Sequence, residues 1–275
     1  MASQADKARA FRALHDRSGA FIIPNAWDAG SAKILASLGF EAIATTSQGL
    51  ASSLGIADGT GGLRGEDAIA NCRAIAGATD LPVSADLENC YADEPEGAAD
   101  TIRRALEAGV VGVSIEDATG NAARPIYDFS LAVERVEAAA AAVRSVPFPV
   151  VLVARADGLL HGRDMDDTVR RLQAFEKAGA DVLYAPGLRD LASIRQVAKS
   201  VAKPINVVMS MADPSLALAE LADAGVRRVS VGGALSRLAF AGLIKGAKEM
   251  KERGTFAWVR EALPTKDLMQ ILGDS

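Results

Sequence analysis

Short apolar runs, each followed by a stretch of helical periodicity, recur along the whole chain. The runs are 20–24, 42–46, 82–88, 112–116, 150–157, 182–186, 204–209 and 228–232. The intervening segments 28–38, 64–76, 95–108, 130–143, 165–178, 191–201, 214–224 and 236–253 place apolar residues three and four apart, as one face of a helix requires. Four helices stop on the same signal: Leu38-Gly39, Ala108-Gly109, Ala178-Gly179 and Ala224-Gly225, a glycine suited to the left-handed residue that ends a helix. Strict alternation of strand and helix implies a parallel sheet, and eight such units predict closure into a (β/α)8 barrel. No linker or composition break divides the chain, so residues 1–275 are expected to form one domain, with a short helical extension over about 255–275.

Composition agrees with that architecture. Hydrophobic residues make up 49% of the chain and aromatics only 5%, which suits a parallel sheet covered by helices. The net charge of −5 is spread without long blocks of one sign and argues against nucleic acid as a partner. No apolar run approaches the length of about 20 residues that spans a bilayer, and the first residues lack the apolar core of a signal peptide. A cytoplasmic protein without membrane partners is therefore expected. Cys72 and Cys90 have no metal-site spacing and are expected to be inert.

The chemistry gathers at strand ends. Asp86 and Glu88 close the third run, Glu116 and Asp117 the fourth, and Arg155 and Asp157 the fifth, while Asn206 sits in the seventh. In a strand, residues two apart share a side, so Asp86 and Glu88 are expected to point together. Barrels of this kind place active sites at the carboxyl ends of their strands, so these clusters should share one rim. Carboxylates without His or Cys partners favour a hard cation, Mg²⁺ or Mn²⁺, held through few direct ligands. Strand-end acids also serve as helix caps, and Asp28 is expected to be one. Asn25 points near the rim without a clear role, His15 reads as a surface or packing residue, His161 follows the fifth strand, and Tyr127 is a candidate lid residue. Gly232-Gly233 stands where many barrels bind phosphate.

An ordered set of segments carries a family resemblance: 24–32 (Pro-Asn-Ala-Trp-Asp-Ala-Gly-Ser-Ala), Thr45-Thr46-Ser47, 54–58, Ala85-Asp86-Leu87-Glu88, Ser114-Ile115-Glu116-Asp117 and 153–157. Together they resemble the isocitrate lyase / phosphoenolpyruvate mutase superfamily across roughly residues 9–250. The resemblance implies a Mg²⁺-dependent enzyme acting on a 2-oxo or 2-hydroxy acid through a pyruvate-type enolate. By position, Asp86 resembles the direct metal ligand, and Asp58, Glu88 and Glu116 resemble acids that hold the metal's waters. Asp58, Glu116 and Arg155 become the candidate catalytic groups. Arg155 matches the residue that grips the substrate carboxylate, with Thr46, Ser47, Gln48 and Asn206 as further substrate contacts. The resemblance also implies a homo-oligomer, a dimer or a tetramer, in which neighbours exchange the last barrel helix from Ser236 onward.

This chain departs from its relatives in three places. Family lyases carry a Lys-Lys-Cys-Gly-His type loop after the fourth strand, but residues 116–127 hold neither Cys nor Lys. Phosphoryl-transferring relatives have Lys where Ala118 stands, and lyases often show Pro-Glu where Pro186-Gly187 stands. Retro-aldol cleavage needs a base and an acid, whereas decarboxylation of a 3-carboxy-2-oxo acid reaches the enolate without an obligatory side-chain base. The leading expectation is a carbon–carbon lyase of the oxaloacetate decarboxylase type. A phosphonopyruvate hydrolase or mutase-like enzyme and a non-catalytic 2-oxo acid binding protein stand as alternatives.

Overall fold

The computed structural model describes residues 2–273; Met1, Asp274 and Ser275, the ends of the expected domain and tail, lie outside the described residues. Helix α1 (Gln4–Asp16) leads into β1 (Phe21–Ile23), β2 (Asn25–Ala26), α2 (Ala29–Ser37), β3 (Ile43–Thr45), α3 (Ser47–Ser53) and α4 (Gly65–Gly77). Then follow β4 (Val83–Ala85), α5 (Pro95–Glu107), β5 (Gly112–Glu116), α6 (Phe129–Val143), β6 (Val151–Arg155), α7 (Met165–Ala178), β7 (Val182–Tyr184) and α8 (Leu191–Ser200). The chain ends with β8 (Ile205–Val208), α9 (Leu218–Asp223), β9 (Val226–Ser230), α10 (Ala234–Arg253) and α11 (Thr265–Gly273).

All pairings between these strands are parallel, in the order β1-β9-β8-β7-β6-β5-β4-β3-β2. Among the described residues nine strands make eight staves, because Pro24 lacks an N–H to donate and splits the first run in two. Its lower half pairs β1 with β9 and its upper half pairs β2 with β3, which joins the ends of the sheet into the expected (β/α)8 barrel. Asn25 fastens the seam. Its Oδ1 accepts the N–H groups of Val231 and Gly232 at 3.0 and 2.8 Å, and its Nδ2 donates to the Thr45 carbonyl at 2.7 Å.

Two apolar layers hold the barrel. One lies between strands and helices, and the other fills the barrel interior at its base, where Val111, Val151, Val153 and Val182 surround Phe11 of α1. Phe11 is fully buried, and a Cβ on Gly112 would come within 2.6 Å of its ring, so that stave needs glycine for the plug to fit. A capping box between Ser3 and Asp6 starts α1, and Asp28 caps α2 as expected, accepting the Ser31 N–H at 2.6 Å.

Some boundaries differ from the sequence reading. The third predicted strand ends at Ala85 rather than Glu88, the helix predicted over 214–224 shortens to α9, and the unpredicted α3 starts on Thr46. Tail helix α11 packs on α2, where the Lys33 ammonium donates to the Leu272 carbonyl at 2.9 Å. By contrast, only Ser236 and Gly246 of α10 are buried. Among the described residues no helix is long and apolar enough to cross a membrane.

Candidate active site

The sequence places Asp86 and Glu88 together for a reason the structure replaces. The strand stops before either residue, and Glu88, Cys90 and Tyr91 all adopt left-handed backbone, with φ of 50°, 59° and 54°. Such conformations cost about 1–3 kcal/mol each and persist only where surroundings enforce them. Here the enforcement comes from Arg135 on α6, which is 1% exposed and donates to the carbonyls of Asn89, Ala92 and Asp93. The Glu116 N–H also donates to the Glu88 carbonyl at 3.1 Å, carrying the ladder past the end of β4. A coiled turn, not strand alternation, brings the two acids to one place.

Arg155, at the end of β6, stands at the centre. Its Nε and Nη2 edge binds both Asp157 oxygens at 3.2 and 2.8 Å. Its Nη1 lies 2.9 Å from Glu116 Oε2 and 3.4 Å from Asp86 Oδ1, and Tyr184 lies under the guanidinium at 5.0 Å. The Glu116 contact is an ion pair without hydrogen-bond alignment, so that oxygen keeps an unspent lone pair. Ser47 at the start of α3 donates its N–H and its hydroxyl to Asp86 Oδ2, both at 3.0 Å. Behind Asp157, its N–H donates to Asp117, which in turn accepts from Arg171 of α7 at 3.2 Å. Like Arg135, Arg171 is 1% exposed and braces the loops from outside the barrel.

The other expected residues fall around this centre. Asp58 is exposed and meets the group through the Gln48 amide at 3.2 Å. Thr46 is buried and spends its hydroxyl oxygen on the Gly49 N–H as the cap of α3. Asn206 is 2% exposed deep in the mouth, its amide donating to Ser230 Oγ at 3.0 Å. Tyr127 is not a free lid residue: it is buried, donates to Asp93 and lies under Arg135. The segment that bears it is a closed loop, bridged between Ala118 and Ile126. His161 is exposed. Both cysteines are buried, and burial pushes each thiol up to about 12, away from reactive thiolate chemistry. A cavity of ≈ 150 Å³ connects Ser47, Asp58, Asp86 and Arg155 with Asn206 and Arg228 below them.

Electrostatics indicate what the mouth suits. Burial, then the Asp86 and Asp58 charges, push Glu88 up to about 7. Glu116 is raised well above the carboxylate range by burial and by Asp157, Asp86 and Glu88, against the pull of Arg155. Carboxylates crowd one guanidinium, and the donor set, all oxygen, suits a small divalent cation. Among the described residues no group of three or more His, Cys, Asp or Glu side chains is arranged to hold a metal ion. An ion that takes one or two protein oxygens and keeps its waters fits this arrangement, and Mg²⁺ behaves so.

A parallel barrel with an acid-rich mouth and an arginine at the carboxyl ends of its strands defines the class: barrel proteins that gather their chemistry at that rim. The chain belongs to the isocitrate lyase / phosphoenolpyruvate mutase superfamily, matching the family described as phosphoenolpyruvate phosphomutase over residues 11–251. It is similar to a crystal structure from Burkholderia cenocepacia J2315 described as a "putative lyase/mutase" (52% identity, 97% of this chain and 95% of that chain, TM-score 0.94). It is also similar to 2-methylisocitrate lyase of Escherichia coli strain K12, at 30% identity over 79% of this chain and 75% of that protein. Oxaloacetate decarboxylase of Pseudomonas entomophila strain L48 matches at 28% identity over 85% of this chain and 81% of its own length. These relatives named for activities are enzymes of carbon–carbon bond cleavage.

Proposed function

We propose that the protein is a Mg²⁺-dependent carbon–carbon lyase that decarboxylates a small 2-oxo dicarboxylic acid of the oxaloacetate type. The carrying observation is the Nη1 edge of Arg155, turned to the mouth beside Asp86 and Glu116 while Asp157 fixes its other edge. A guanidinium so held turns its Nη1 end to a substrate carboxylate, which exchanges for the contacts to Asp86 and Glu116 and takes its pose before bonds break. Asp86, with Glu88, Glu116 and Asp58 around its ion's waters, would hold the metal. Once bound, that ion supplies Lewis-acid stabilisation of the charge developing on the 2-oxo oxygen. The distal carboxylate leaves as CO₂, its bonding electrons pass to the oxygen as an enolate, and a solvent proton completes pyruvate. The loop from Asp117 to Tyr127 has neither Cys nor Lys, its Asp117 and Tyr127 are paired with Arg171 and Asp93, and its only cation for a phosphoryl group is Arg124, which disfavours retro-aldol and phosphoryl chemistry.

The assay follows pyruvate, CO₂ and phosphate separately with Mg²⁺ present. Equal yields of pyruvate and CO₂ from oxaloacetate, above the rate of an Asp86→Asn control and abolished by chelation, are expected. Phosphate release from phosphonopyruvate without oxaloacetate turnover would move the reading to the hydrolase alternative, and metal-dependent binding without turnover would leave a binding module.

The assembly belongs to the same proposal. Leu238, Leu243 and Ile244 of α10 are 69%, 66% and 53% exposed, apolar side chains on more than one side of the last barrel helix. A second copy of this chain covers it by exchange of α10, as the family resemblance implies. Sedimentation at micromolar concentration should show a dimer or tetramer that Leu243→Glu dissociates; a monomeric wild type removes the idea.

A further inference from the structure

Among the described residues three arginines are almost completely buried, and two of them have both terminal nitrogens or a carboxylate partner engaged, Arg135 leaving only its Nε without a hydrogen bond. Arg135 donates to three carbonyls, and Arg171 pairs with Asp117 and Asp167. Arg228 differs. It is 6% exposed on β9, its Nη2 donates only to Ser84 Oγ at 3.2 Å, and its Nε and Nη1 have no protein partner. No carboxylate lies within ion-pair distance of it among the described residues, and Phe11 beneath offers a ring at 5.8 Å. A buried cation with neither an anion nor more than one hydrogen bond is costly, and a fold that retains one has a use for it.

The surroundings define that use. Arg228 is in register with Asn206 on the neighbouring strand, whose Oδ1 is also buried without a partner. Turning that amide over would keep the Ser230 hydrogen bond and direct its N–H toward the same space, since the two orientations are interchangeable in shape. These groups line the bottom of the cavity whose top holds Asp86 and Arg155. Ser84, the partner of Arg228, lies two residues before Asp86, which puts the floor within about 7 Å of the metal-site acid, the reach of two residues of extended chain. That offset is of the order of the span between the ends of a small dicarboxylate.

We propose that Arg228, with Asn206 and Ser230, forms an anion subsite at the floor of the mouth that takes the distal carboxylate of the substrate. Building on the 2-oxo acid reading above, Arg155 holds the carboxylate beside the 2-oxo group and Arg228 the one at the far end; a cation there favours the bound dicarboxylate over loss of CO₂, so the subsite serves selectivity at a cost in kcat. The subsite makes the protein selective for dicarboxylates over monocarboxylates.

Calorimetric titration with malate and with lactate, in Mg²⁺, tests it, because the two differ in the distal carboxylate. Wild type should bind malate at least about tenfold tighter, the worth of one or two charge-assisted hydrogen bonds. Arg228→Met should abolish that preference while changing lactate affinity less than about twofold, and Arg228→Lys should restore part of it. Without ligand, Arg228→Met should melt at a higher temperature than wild type, because an unpaired buried charge is gone; Arg228→Gln is measured beside it. An unchanged malate preference in Arg228→Met, or equal losses for both acids, overturns the subsite. If wild type binds neither acid, the 2-oxo acid reading fails, and the subsite is judged by succinate alone. A thermal shift with succinate in wild type but not in Arg228→Met upholds it, and no shift in either overturns it.

Discussion

The mouth and the base of this barrel are built from the same eight staves and obey opposite rules. At the base, Phe11 and His15 of α1 sit among valines, and α1 itself starts in regular capped geometry. At the mouth, three non-glycine residues take left-handed backbone, and acids are forced together until Glu88 rises to about 7. The base lowers free energy locally; the mouth raises it and relies on Arg135 and Arg171 to keep its loops in place. Barrels commonly divide stability from chemistry in this way, and the present chain shows how the division is enforced by buried arginines outside the strands.

The largest effect should come from separating the two properties. Asp86→Asn is expected to lower kcat/KM about 10³-fold, about 4 kcal/mol of transition-state stabilisation, while the melting temperature holds or rises as crowding eases. Loss of activity accompanied by unfolding would mean that the mouth also supports the fold. The converse change is Phe11→Ala at the base. It should cost about 3–5 kcal/mol of stability by opening a cavity, yet leave kcat of the folded fraction within about twofold. Urea titration and active-site-normalised kinetics read the two quantities.

Arg135→Met should break the separation. Three carbonyls lose a buried donor at about 1 kcal/mol each, and the loop carrying Glu88 loses what holds its strained backbone. A stability loss of about 3 kcal/mol together with a kcat/KM loss of about tenfold is expected. Unchanged kinetics would show that the loop holds its shape without the arginine.

How far these regions were legible in the sequence follows the same division. The staves and their helices were readable because each buries a periodic apolar face, and the split first stave was missed because Pro24 interrupts a run that is otherwise uniformly apolar. Asp86, Glu88, Glu116 and Arg155 were found as strand-end charges and are brought together, although Glu88 arrives by a turn that alternation does not describe. Arg135 and Arg171 lie on helices, away from the strand ends where the charge pattern draws attention. Yet each occupies an apolar stripe, in Ala132-Arg135-Val136-Ala139 and Thr168-Arg171-Leu172-Phe175, and a charge on a buried stripe signals a partner inside. Arg228 left a similar trace, alternating with Val226 and Ser230 along β9. The partners themselves are loop carbonyls and side chains remote in the chain, which no local pattern encodes.

The smallest predicted effect tests the base alone. His15 is 5% exposed between the rings of Phe11 and Phe21, and its Nδ1 donates to the Phe11 carbonyl at 2.8 Å. Its Nε2 has no partner, so protonation would put a charged N–H against apolar rings, with Arg228 and Arg12 nearby and the Phe11 carbonyl and Asp181 in its favour. Burial, then the Arg228 charge, hold the ring down to about 3, whereas an unfolded chain titrates near the ordinary value of about 6.5. Between those values the unfolded state binds a proton that the folded state refuses. Stability from this group is complete above about pH 6.5 and falls by about 1.4 kcal/mol per unit as pH drops, about 2 kcal/mol by pH 5. His15→Phe keeps the packing and removes the titration, so its urea midpoint should fall less than that of wild type between pH 7 and 5. The acids of the mouth titrate in both proteins and cancel in the difference, so parallel pH profiles would show that His15 is charged in the folded state or loses no protonation on folding, and the base would no longer be the neutral half of the barrel.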